Sequence, residues 1–144
     1  MYSANNLKLA CAGLILAAVG GAASAEVVVV VSAKNPTAAL SAEQASDIFL
    51  GEAATFPSGG QAVPVDQADG ARVREEFYTK AAGKTSAQLK SYWAKVLFTG
   101  KGRPPKVVAD SAAVKQLVAE NPNMIGYIDK GAVDASVKVV LTLH

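Results

Sequence analysis

Residues 26–32, Glu-Val-Val-Val-Val-Val-Ser, form an apolar β-branched run without alternation. That is the pattern of a strand covered on both faces, central in its sheet. Residues 41–51 change to helical spacing: Ser41 and Gln44 make a capping box, Ala45, Ile48 and Phe49 share a face, and Gly51 ends the helix. A Pro/Gly/Ser loop at 56–61 leads into a short strand at 61–65, where Pro64 argues for an edge or a strand end. A second helix is expected over 71–82, stopped by Gly83, and a second capping box, Thr85 with Gln88, opens a third. In that helix Leu89, Tyr92, Trp93, Val96 and Leu97 recur at helical spacing, so Trp93 belongs to the core.

After the irregular loop 100–105 come a short strand at 106–108 and a helix over 110–120, capped by Asp110 or Ser111. Strands at 124–128 and 137–143 complete the chain. The order β-α-β-α-α-β-α-β-β predicts a small α/β domain with a largely buried sheet.

Residues 1–25 are read separately. Lys8, the apolar run 9–19 and the small residues 23–25 have the form of a secretory signal peptide cleaved between Ala25 and Glu26. The expected mature chain is exported to the periplasm and forms one domain, 26–144, of 144 − 25 = 119 residues. Cys11, the one cysteine, falls inside the leader, and the one histidine is His144. Disulfides, thiolate nucleophiles, zinc clusters and His-based triads are therefore not expected, and no cofactor or metal is called for.

The mature balance of 13 basic against 12 acidic side chains shows no Lys/Arg tract, so neither nucleic acid nor an anionic membrane is an expected partner. Any attraction for anions must be local. The best local candidate is the turn at Asp69-Gly70, which feeds a helix whose first turn carries Arg72 and Arg74. Helix N-termini present unpaired N–H groups and a partial positive charge. On a helical wheel the two arginines lie about 200° apart, so only one leans over that pole.

An ordered set of short motifs resembles the phosphate-binding proteins of ABC importers. The set is Ile48-Phe-Leu-Gly51, the Gly-rich loop, Val63-Pro-Val before Asp69-Gly70, Phe77, Trp93, and Asn121-Pro-Asn-Met-Ile-Gly-Tyr127. The resemblance covers essentially 26–144 and implies an α/β fold like one lobe of a periplasmic binding protein, a mixed sheet flanked by helices. It also implies a solute-binding role, with inorganic phosphate or a similar oxyanion as ligand and a membrane transporter or sensor protein as partner.

The family's phosphate loop reads Arg-Ser-Asp-Gly-Ser-Gly-Thr. Aligned through Asp69 and Gly70, its arginine falls on Gln67, the serine after the glycine on Ala71, its second glycine on Arg72 and its threonine on Val73. The candidate anion-binding set is therefore Ser32, Gln67, Gly70, Ala71, Arg72, Val73 and Arg74. With arginine and hydroxyl donors replaced and no second lobe to cover the site, weak binding is expected. A second copy or another protein is the expected cover.

The alternative is an accessory or sensory lobe that uses its two loops, with Phe56, Arg103 and Pro104, for protein contact. An enzyme is not expected: Ser32, Ser41, Ser46, Ser58, Ser86 and Ser91 lack a histidine partner in the fold, and no carboxylate pair has general acid–base spacing.

Overall fold

The computed structural model describes residues 26–144, so the proposed leader and Cys11 lie outside the described residues. Five strands form one mixed sheet: β1 Val27–Ser32, β2 Val63–Gln67, β3 Lys106–Val108, β4 Met124–Asp129 and β5 Val137–Leu143, in the order β3-β2-β4-β1-β5. β2 runs parallel to β3 and β4, whereas β1 runs antiparallel to β4 and β5.

The valine run behaves as its composition dictates. Val27, Val29 and Val31 face a core built with Ile48, Phe49, Phe77, Leu89 and Trp93, while Val28 and Val30 face Val114 and Val118 on the other side. β1 is interior but not the middle strand, a place taken by β4. Pro64 pairs with Ile125 of β4, and β3 joins β2 only from Val65 onward, so the residue without an N–H sits before the second ladder begins.

The helices are α1 Ala42–Phe49, α2 Arg72–Phe77, α3 Ser86–Phe98 and α4 Ser111–Glu120. Both capping boxes form, at Ser41 with Gln44 and at Thr85 with Gln88, and Asp110 rather than Ser111 caps α4. After Phe77 the second helix changes to a π-helical turn, Tyr78–Ala82, and ends on left-handed Gly83. In α3 the stripe is buried at Leu89 and Trp93, but Leu97 is 53% exposed, contrary to its expected inward position. The buried stripe thus stops at Trp93, one turn short of the helix end.

α4 lies unusually close to the sheet. A Cβ on Gly126 would stand 2.3 Å from Val114 Cγ1 and 3.3 Å from Val118 Cγ2, so only glycine leaves room for the helix there.

Candidate functional site

The C-terminal ends of the parallel strands β2, β3 and β4 meet at one pole of the sheet. This is the edge at which open α/β sheets place ligands. Gln67, Asp110, Ser111 and Asp129 stand there, and the chain leaves β2 through Asp69 and Gly70, whose φ is 91°. Ala71 N–H closes the turn on Ala68 O at 3.1 Å, and Glu75 N–H donates to Ala71 O at 3.1 Å. Residues 72–74 therefore start α2 ahead of its intrahelical ladder, and among the described residues no side chain caps them.

Beneath the turn lies a buried carboxylate. Asp66 accepts from Tyr78 Oη at 2.7 Å, from Tyr127 Oη, and from Gln67 N–H at 2.8 Å. Burial, reinforced by the Asp66 charge, pushes both phenols far above the ordinary tyrosine range, so they remain donors. Arg74 completes the group: its Nε lies 3.9 Å from Asp66 Oδ1, its Nη1 donates to Gln67 O at 3.3 Å, and its guanidinium covers the Tyr78 ring at 5.6 Å. The rings are ordered by stacking, with Phe77 and Tyr127 4.2 Å apart and nearly parallel.

The seven candidate residues divide. Gly70, Ala71, Arg72, Val73 and Arg74 are brought together at the turn as one contiguous segment. Arg72 points outward but is held by Glu76 at 3.0 Å and Asp129 at 2.7 Å, and the bond to Asp129 raises its pKa further. Gln67 reaches the pole, yet its side chain does not face the turn. Its Nε2 donates inward to Tyr127 O at 2.8 Å and to Ser111 Oγ at 3.2 Å, which corrects its expected place on the binding edge.

Ser32 is not part of this site. Val30, Gly126 and Val65 stand level across the sheet, and because β1 runs antiparallel, Ser32 lies two residues to one side while Gln67 lies two to the other. The separation is roughly 13 Å along the strands. Ser32 Oγ instead donates to Ala119 O at 3.3 Å. Phe56, expected on a presenting loop, is 4% exposed and belongs to the core, whereas Arg103 and Pro104 are exposed.

Ser111 is the residue that sequence reasoning missed. Its Oγ also accepts from Asp129 N–H at 3.1 Å, tying α4 and the ends of β2 and β4 together. The available signal was its position directly after β3, at the carboxyl edge of a parallel strand. Beside the turn, a groove of about 350 Å³ separates Asp69 and Arg74 from Lys90, Trp93, Leu97 and Pro104. Among the described residues no cluster of three or more His, Cys, Asp or Glu side chains could hold a metal ion.

No family model and no curated protein matches the chain in sequence. Solved structures do match. One from Clostridium perfringens, described as a phosphate ABC transporter substrate-binding protein with bound phosphate, aligns at 25% identity and a TM-score of 0.66 over 81% of this chain and 44% of its own. An ABC-type phosphate transport receptor from Vibrio cholerae aligns at 22% identity and a TM-score of 0.63, over 81% and 45%. PstS from Borrelia burgdorferi aligns at 12% identity and a TM-score of 0.60, over 81% and 46%.

The chain resembles the phosphate-binding proteins of ABC importers. It spans under half the length of the structures it matches, the extent expected of a single-lobe version. Its mixed sheet flanked by helices is the periplasmic-binding-protein architecture, and these neighbours are binding proteins rather than enzymes.

Proposed function

We propose that this chain is an exported solute-binding protein without enzymatic activity, which takes phosphate or a similar oxyanion weakly at the turn formed by Gly70, Ala71, Arg72, Val73 and Arg74. The reading includes a cleaved leader over residues 1–25, a periplasmic location, and a membrane transporter or sensor as partner. The observation that carries it is the uncapped start of α2 at the carboxyl pole of the parallel strands, in a fold shared with phosphate-binding proteins.

Weakness follows from the same geometry. Both arginines already answer carboxylates, Arg72 those of Glu76 and Asp129 and Arg74 that of Asp66, so an anion must compete with internal partners. The helix-dipole contribution at an exposed site is about 0.3–1 kcal/mol, too little to replace a bidentate arginine.

Calorimetric titration with phosphate and with sulfate tests the reading. A dissociation constant in the high micromolar range or weaker is expected, rising further with added salt and in Arg72→Ala. Submicromolar binding that survives Arg72→Ala overturns it.

A further inference from the structure

The near-zero total charge conceals a strong segregation. Residues 78–109 contain seven lysines and arginines and no aspartate or glutamate. Residues 26–144 hold thirteen cations and twelve carboxylates, so the rest of the described fold carries six against twelve, a balance of −6 beside the +7 of this segment, in which Lys80 pairs with Glu76. Lys90, Lys95, Lys101, Arg103 and Lys106 are exposed and form no ion pair among the described residues. Residues 1–25 contain no acidic side chain that could answer them.

Apolar side chains stand within this face. Phe98 is 92% exposed at the end of α3 and Leu97 beside it is 53% exposed. The loop 99–105 folds back on the same helix end: Lys101 N–H donates to Val96 O at 3.2 Å, a Cβ on Gly102 would touch Val96 Cγ1 at 3.7 Å, and Pro104 shares a groove with Leu97 and Lys90. Lys95, Lys101 and Arg103 thereby lie on the turn and loop at the end of α3 that carries Phe98, and Lys106 follows on β3.

We infer that this face docks on an anionic lipid bilayer, with Phe98 and Leu97 entering the interface and the neighbouring cations meeting phospholipid headgroups. Charge complementarity selects the occupant, and the make-up of the face distinguishes lipid from protein. Six of the seven cations in residues 78–109 are lysine, a residue depleted in protein–protein interfaces, and the exposed large apolar side chains there are three, Leu97, Phe98 and Val107, rather than a broad core. Flexible cations beside a protruding aromatic are the composition that binds bilayer surfaces.

Sedimentation with vesicles tests the inference. The protein is purified in its processed form and mixed with vesicles of equal parts phosphatidylglycerol and phosphatidylcholine, or of phosphatidylcholine alone. Binding to the anionic vesicles only is expected, falling as salt is raised. Each cation contributes about a fivefold factor, so the combined Lys95→Gln, Lys101→Gln, Arg103→Gln and Lys106→Gln variant loses two to three orders of magnitude. Phe98→Ser loses about tenfold.

Lys34→Gln with Lys130→Gln, on other surfaces, leaves binding unchanged. All these positions are exposed, so the variants keep the parent melting temperature, which circular dichroism checks. Equal binding to both vesicle types, or binding that survives the fourfold variant, overturns the inference. So does a chain that ignores vesicles but captures an acidic envelope protein through the same lysines.

Discussion

Gln67 holds Tyr127 at two points: its side-chain amide donates to the Tyr127 carbonyl at 2.8 Å, and its backbone N–H lies 3.2 Å from the Tyr127 hydroxyl. The end of β2 is thus locked to β4 by a side chain turned away from the turn that follows. Gln67→Ala is expected to lower stability by about 1–3 kcal/mol, because a buried carbonyl loses its donor. Phosphate affinity should stay within twofold of the parent; a large loss in titration would place the amide on the ligand.

Tyr78 and Tyr127 predict alkaline sensitivity. Burial raises their folded pKa above the unfolded value, so their contribution is complete below about pH 10 and is lost as pH rises beyond it, where the unfolded phenols ionise and the folded ones do not. Each buried phenol steepens the loss by about 1.4 kcal/mol per pH unit. Urea unfolding between pH 8 and 11 should show this slope, and Tyr78→Phe should remove its share. An unchanged slope in that variant would mean that its hydroxyl ionises in the folded protein.

Gly126→Ala tests the close approach of α4 to the sheet. Val114 is fully buried and cannot retreat from a methyl group placed 2.3 Å away, so the substitution should cost about 1–3 kcal/mol in denaturant unfolding. Adding Val114→Ala should return part of that loss by making room, a coupling that a double-mutant cycle measures.

What the sequence reveals is what depends on neighbours along the chain. The valine run, both capping boxes, the strand end at Pro64 and the stop at Gly83 are decided within a few residues, and each appears where its pattern places it. Ser32 misleads because a valine run carries no mark of its direction; pairing with β4 and β5, a hundred residues away, turns it to the opposite pole. Leu97 misleads because periodicity marks a face of the helix but not how far along the helix that face is covered. Gln67 and Arg74 are drawn inward by the buried Asp66 and by Tyr127, partners that alignment to a ligand loop does not disclose. The basic face is legible in residue order but disappears when charges are only counted.

β1 comes first in the described fold, yet both of its partners come last: Val27 pairs with Asp129, 129 − 27 = 102 residues on, and with Leu143, 143 − 27 = 116 on. Closing such long loops is entropically costly before any contact rewards it, so the sheet assembles slowly and late. Until β4 and β5 have joined it, the valine strand has both edges open. Residues 124–143 thus act as the latch of folding, and until they pair the valine run 27–31 lacks its ladder partners in the described fold.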